Sequence, residues 1–137
     1  MREIFEHTAD AGIRIESQTL TGAFNELSLA ITEVITGGNL VDSSRDFDIT
    51  LESSDLVSLL VKYISHLIYL FDTENFLVSH TAFRLEAGTS KKLVGKLHGE
   101  LYDQNKHGYG VEIKAVSYHM LEISEGPPSR IVVILDL

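Results

Sequence analysis

The feature that most constrains the fold is a long helical pattern in residues 53–75 with one wide apolar face. Ser53, Ser54 or Asp55 can cap its N-terminus. Its apolar residues recur at the spacing of an α-helix: Leu56, Leu59, Leu60, Tyr63, Ile64, Leu67 and Phe71. A stripe of this width is broad enough to cover a β-sheet. The chain must therefore provide a sheet for this helix to cover.

A second helical pattern occupies residues 19–38. Thr21 is its predicted N-cap, and the Gly37-Gly38 pair supplies a stop signal. The apolar positions again follow helical spacing: Ala23, Phe24, Leu27, Ala30, Ile31 and Val34. The sequence therefore predicts two helices, both within its first 75 residues.

The other periodic segments alternate between apolar and polar residues, as half-buried strands do. They cover residues 3–5, 12–17, 46–52, 78–87, 92–101 and 111–123, and an apolar run, "RIVVILDL", ends the chain. A continuous apolar run suits a strand that is central in its sheet or buried on both faces. The loops "GTSKK" and "DQNKHGYG" are predicted hairpin connections.

This order of elements predicts an α+β fold. We expect a two-layer sandwich, in which both helices pack on one face of a mainly antiparallel sheet of six or seven strands. The 137 residues fit one domain over residues 1–137.

The formal net charge is -9, with 20 Asp and Glu against 11 Lys and Arg. Because nucleic-acid affinity depends largely on cationic side chains, we expect no strong direct nucleic-acid binding. A basic protein partner or a bound cation is electrostatically easier. The chain has no cysteine, which excludes disulfides, thiolate zinc sites and a cysteine nucleophile. No apolar run approaches the ~20 residues that span a bilayer, and the N-terminus lacks a signal-peptide core. We expect a cytoplasmic protein with no membrane association.

Two carboxylates near the chain ends are candidate ligands for a cation. Asp10 lies in the short turn "HTAD", where it could ligate a hard divalent ion or form an Asx turn with its own backbone. Asp136 ends the last apolar run, beside the terminal carboxylate of Leu137. Neighbouring anions repel unless a cation or a basic side chain compensates them, but this end could also be solvated.

One stretch, "VEIKAVSYHMLEI", has a mixed polar and apolar face. Strand alternation places Lys114, Val116, Tyr118 and Met120 on that face. Such a stripe suits contact with a partner, although an ordinary wet sheet face with Lys114 extended over it is the alternative. None of the HExxH, GxSxG, Walker A or Rossmann glycine patterns occurs.

The chain resembles the archease family along essentially its whole length. The resemblance depends on four segments in order: "EHTADAGI" (6–13), "DLVSLLVKYISHLIYLFDTEN" (55–75), "GVEIKAVSYHMLEI" (110–123) and the terminal "VVILDL". One departure is Ala11, where the family more often has a larger apolar residue.

The resemblance implies an α+β sandwich and a function. Archeases are accessory proteins of the RtcB-type RNA ligase; they promote its guanylylation and multiple turnover in tRNA splicing and RNA repair, and are not themselves enzymes. The resemblance also implies a bound divalent cation, with calcium as the first expectation and magnesium or manganese as alternatives. Its ligands here would be Asp10, Asp136 and a main-chain or terminal oxygen of Leu137, and Lys114 and His7 are the candidates for partner activation. Two alternatives stay open: a small metal-dependent hydrolase using Asp10, His7 and Asp136, and a chaperone-like binding module.

Overall fold

The computed structural model describes residues 1–7 and 10–137, with all their side chains except those of residues 6, 7 and 87. These residues form seven strands and three helices, and the fold class is α+β as predicted. The elements in chain order are β1 (Arg2–His7), β2 (Asp10–Ser17), α1 (Leu20–Thr36), β3 (Arg45–Ser53), α2 (Leu56–Glu74), β4 (Phe76–Ala87), β5 (Lys91–Leu101), α3 (Gln104–His107), β6 (Ala115–Ser124) and β7 (Ser129–Asp136).

The strands form two antiparallel sheets where the sequence analysis expected one. Sheet A has the order β1-β2-β7-β6, and sheet B has the order β3-β5-β4. Alternation along a strand shows which residues face the core but carries no information on which strands pair. The prediction for the last strand is confirmed: β7 is central in sheet A, between β2 and β6.

The core lies between the helices and the inner faces of the two sheets. Sheet A contributes Ile13 and Ile15 from β2, and Ile131, Val133 and Leu135 from β7, all at most 2% exposed. The predicted stripe of α2 supplies Leu59, Leu60, Tyr63, Ile64 and Leu67, while Leu56 and Phe71 are only partly buried. These buried apolar surfaces are the main source of stability.

Tyr63 joins the helices to sheet B at the centre of the core. Its ring meets Phe24 of α1 and Phe83 of β4 edge-on, at centroid distances of 5.3 and 5.5 Å. Its hydroxyl hydrogen-bonds that of Ser28. The buried phenol therefore has a polar partner, as a buried hydroxyl requires.

Both long helices have side-chain caps. α1 begins after Thr19 rather than at the predicted Thr21, and the Thr19 hydroxyl accepts the Gly22 N–H at 3.0 Å. α1 ends at Gly37, whose φ of 73° is left-handed. α2 is capped by Asp55, one of the three predicted residues, whose carboxylate accepts the Ser58 N–H at 2.8 Å.

With 19 residues, α2 is also long and apolar enough to cross a membrane, by length and composition alone. The expectation that no segment approaches this length and apolarity was therefore wrong. In this fold the apolar face of α2 packs into the core described above. A buried core helix meets the same criteria as a membrane span.

The predicted hairpin connection "DQNKHGYG" instead contains the short helix α3 and part of a charged cluster that is buried at Glu100 and His107. His107 is fully buried; its Nδ1 accepts the Asp103 N–H at 2.9 Å, so its Nε2 carries the proton and donates to Glu100 at 2.6 Å. Lys106 donates to both Glu100 and Asp42. Burial would raise the pKa of Glu100, but hydrogen bonds from Lys106, the Asp42 backbone and His107 outweigh it and lower the pKa to about 2. This cluster anchors the chain on its way from β5 to β6.

The strand predicted over residues 111–123 begins only at Ala115. Before it, the Val111 N–H donates to the Ile35 carbonyl of α1 at 3.0 Å, and Ile113 is buried. Residues 111–114 therefore run from α1 to the edge of sheet A, where Lys114 enters the region described next.

Candidate functional site

The two chain ends meet in one row at the end of sheet A. His7 is opposite Asp10, Asp10 is opposite Asp136, and Asp136 is opposite Ala115 in the strand registers. A cation shared by Asp10 and Asp136, as the resemblance implies, requires the two residues to be adjacent, and the register places them so. Residues 8 and 9 of the "HTAD" turn, and the His7 side chain with its predicted role, lie outside the part of the chain that the structure describes.

Asp10 and Asp136 project from the face of sheet A opposite the core. Their neighbours Ala11 and Leu135 are buried on the core side, and successive residues of a strand alternate in direction. Directly opposite residues have Cβ atoms about 4.5–5.5 Å apart, so the two carboxylates share one small region. Ala11, the departure from the family pattern, is a packing residue and not part of this pair.

The donor set of this row fits a hard divalent cation. Such ions prefer carboxylate and carbonyl oxygens, and two carboxylates with a third oxygen nearby offer both charge and ligands. Leu137 follows Asp136, and its side chain packs against the core, so its main-chain oxygens belong to the same end of sheet A. Among the described side chains, no group of three or more His, Cys, Asp and Glu is placed to hold a metal. The predicted set has only two such side chains, and metal binding by Asp10, Asp136 and Leu137 stays a prediction.

Lys114 is fixed to this row through its backbone. Its N–H donates to the Asp136 carbonyl at 2.8 Å, and its side chain is exposed. An open groove of about 360 Å³ lies beside it, between the start of β6 and one flank of α2. The groove is lined by Ser65, Ile68, Tyr69, Asp72, Thr73, Lys114 and Ala115. Lys114 is therefore accessible at the same end of sheet A as the carboxylate row, on the side of the sheet where α2 lies. Its role in partner activation stays a prediction.

The predicted mixed face of β6 is interrupted. Ser117 pairs with Ile134 and Glu122 pairs with Val132, so the four residues 118–121 stand opposite the single residue Val133. We call residues 118–121 the β6 bulge. Met120 within it has a left-handed φ of 58°. The bulge changes which residues face outward, so the simple alternation predicted for this strand was wrong.

The outcome for the predicted stripe is mixed. Tyr118 and Met120 are exposed, at 72% and 48%, but Val116 packs against the core with Leu121 and Ile123. Simple alternation would place Val116 on the face opposite Leu121 and Ile123. All three face the core because the bulge between them shifts the alternation. No sequence signal could have revealed this shift, since methionine is not a residue that favours positive φ.

Three other histidines lie on sheet B or α2 and not on the strands of the carboxylate row. His98 bonds Asp46 at 2.5 Å and stacks on His80 at 4.5 Å, all three on sheet B. His66 of α2 stacks on Tyr69 at 6.2 Å, and burial lowers its pKa. Tyr69 lines the groove beside Lys114, and the sequence analysis did not single it out. Its only signal was an aromatic residue outside the apolar stripe of α2.

The fold and this site define a small two-sheet α+β protein whose chain ends converge on paired carboxylates. A family model described as the archease protein family (MTH1598/TM1083) matches residues 3–137, and the chain belongs to the archease family.

Curated relatives support this membership. The protein archease of Pyrococcus furiosus is 36% identical over 129 residues, which are 93% of this chain and 91% of the relative. The protein archease of Pyrobaculum neutrophilum is 37% identical over 122 residues, which are 88% of this chain and 83% of the relative.

Solved structures share the fold. The solution structure of protein 1598 from Methanobacterium thermoautotrophicum has a TM-score of 0.77 and 31% identity, covering 99% of this chain and 98% of that one. The crystal structure of an archease, described as a possible chaperone, from Thermotoga maritima has a TM-score of 0.56 and 18% identity, covering 100% and 98%. The second likeness concerns the fold alone.

Proposed function

We propose that this chain is an accessory protein that activates an RtcB-type RNA ligase by promoting its guanylylation. Membership of the archease family supports the proposal, and the observation that carries it is the row of Asp10, Asp136 and Ala115 with Lys114 bonded to Asp136. The row brings a pair of carboxylates and an accessible cationic side chain to one end of a sheet. Such a group of residues can act on a partner's active site without catalysing a reaction by itself.

In this proposal Asp10, Asp136 and an oxygen of Leu137 hold a divalent cation, which is calcium, magnesium or manganese. The ion would supply the positive charge that offsets their mutual repulsion and would fix the two chain ends together. Lys114 keeps its backbone bond to Asp136 and extends its ammonium to an anionic group of the ligase or of its nucleotide. His7, whose backbone pairs with Asp10, contributes from the neighbouring strand.

The test is single-turnover guanylylation of the cognate ligase with and without this protein. We expect wild-type protein to accelerate the reaction, and Asp10→Asn, Asp136→Asn and Lys114→Ala to lose most of the effect. Lys96→Ala is the matched control, because Lys96 is an exposed lysine on sheet B. Normal activation by all three folded variants would contradict the assignment of this row.

A chaperone-like module is the second candidate, since a structural relative with the same fold is described as a possible chaperone. A chaperone would prevent aggregation of unrelated clients, whereas the proposed activator would affect only the ligase. A third arm is hydrolysis by the isolated protein. Turnover that is lost in Asp10→Asn would favour the metal-dependent hydrolase over both.

A further inference from the structure

The β6 bulge lies on an edge of sheet A, because β6 is the last strand in the order β1-β2-β7-β6. The bulge interrupts the row of backbone N–H and C=O groups that an edge strand would otherwise present. Interruptions of this kind prevent a further strand from pairing along the edge. A partner at this edge must therefore be recognised by side chains.

Specific contacts build the bulge. The Ser117 hydroxyl accepts the His119 N–H at 3.1 Å and starts the turn. Val116 before it and Leu121 at its end pack against the core and fix both ends. Between these anchors, Met120 is held at a φ of 58°, a left-handed conformation that a long side chain disfavours. Backbone strain that the surroundings maintain is a recurring mark of functional segments.

The strained segment presents two large apolar side chains to solvent. Tyr118 is 72% exposed and Met120 is 48% exposed. A tyrosine combines a rigid apolar ring with a polar tip, and a methionine adapts its shape to its surroundings. Both residue types are enriched at the centres of protein interfaces.

We propose that Tyr118 and Met120 form a hydrophobic knob that inserts into an apolar pocket of the RNA ligase; this rests on the proposed function. The bulge begins three residues after Ala115, which is about 10 Å along a strand. One partner surface can therefore contact the knob and Lys114 together.

The negative charge around the bulge favours the same partner, the RNA ligase. Glu122 directly follows the bulge and is exposed, and the whole chain carries a net charge of -9. A protein that binds RNA presents cationic side chains to the phosphate backbone. The pocket is thus apolar at its base and has lysine or arginine side chains at its rim. A second copy of this acidic chain would lack that rim.

The test measures equilibrium binding of the fluorescently labelled chain to purified ligase, together with the guanylylation rate. The variants are Tyr118→Ser, Met120→Gly and the double substitution. Tyr109→Ser is the matched control, since Tyr109 is 83% exposed but lies outside β6. We expect the double substitution to raise the Kd about tenfold or more, in the range of interface hot spots, with a loss of activation that higher concentration overcomes. Tyr109→Ser should bind like the wild type.

An unchanged Kd in the folded double variant would overturn the knob. So would a wild type that forms dimers while the double variant is monomeric with unchanged ligase affinity, because the knob would then be a contact between copies. Failure of the proposed function gives a different pattern: the wild type binds the ligase but does not accelerate guanylylation, and the Kd comparison still judges the knob. A wild type that neither binds nor activates overturns both.

Discussion

Replacing Asp10 with asparagine tests whether the carboxylate row binds a cation. The variant keeps the size of the side chain but removes one negative charge from the pair with Asp136. Like charges directly opposite each other on a sheet are destabilising. In a chelating buffer, the variant should therefore be about as stable as the wild type or slightly more stable.

A bound divalent cation should make the wild type more stable than Asp10→Asn. A ligand that binds only the folded state stabilises it by about 2.7 kcal/mol at one hundred times its Kd. With an unfolding entropy of about 2.1 cal/mol/K per residue, a chain of 137 residues gains roughly 9 °C in Tm. If losing Asp10 raises the Kd about a hundredfold, the same ion concentration leaves about 0.4 kcal/mol, or 1–2 °C.

The measurement is a set of thermal melts of each protein with chelator and with calcium, magnesium or manganese. Asp136→Asn should behave like Asp10→Asn. Asp48→Asn is the control, because Asp48 is an exposed carboxylate paired with Lys96 on sheet B; it should keep the full shift. A wild type that no ion stabilises, or an Asp10→Asn variant that keeps the full shift, would refute the metal site.

Three further predictions concern other parts of the chain. Lys114→Ala should change the free energy of unfolding by less than ~0.5 kcal/mol, because the side chain is exposed, and should still lower ligase activation. A variant that loses stability in thermal melts along with its activation of the ligase would contradict this prediction. Met120→Gly should melt no lower than the wild type, because relief of a left-handed φ offsets the greater chain entropy of glycine; a clear fall in Tm would show that Met120 is a packing residue. Glu100 has a pKa lowered from 4.5 to about 2, so its charge stabilises the fold above pH 4.5 and that contribution is lost as pH falls towards 2. Wild type should therefore exceed Glu100→Gln in Tm at neutral pH, and the gap should narrow over that acidic range; a gap independent of pH would contradict it.

Local patterns were enough to predict most of the elements. The stripe of α2 and the alternation of β2 and β5 depend on residues close in sequence, and burial of those residues follows directly from their apolar character. The placement of β7 at the centre of a sheet also followed from its composition, because a strand apolar on both faces is stable only where both faces are covered. The α+β class followed from the order of these elements.

Predictions failed where contacts that the apolar pattern does not encode decided the structure. α3 forms in a polar segment because His107 finds Glu100 and the Asp103 N–H as partners, and no helical apolar pattern announces it. The division of the strands into two sheets depends on pairing between segments far apart in sequence.

The candidate site divides in the same way. By itself the sequence determined that a candidate carboxylate lies near each chain end, Asp10 and Asp136, and that each adjoins an apolar strand. Only the tertiary structure placed them opposite each other, because antiparallel pairing of β2 with β7 fixes the register of all eight residue pairs at once. The tertiary structure also decided that Tyr118 and Met120 of β6 point outward while Val116 faces the core. The reason is that packing against the core fixes the bulge, which breaks the alternation along the strand.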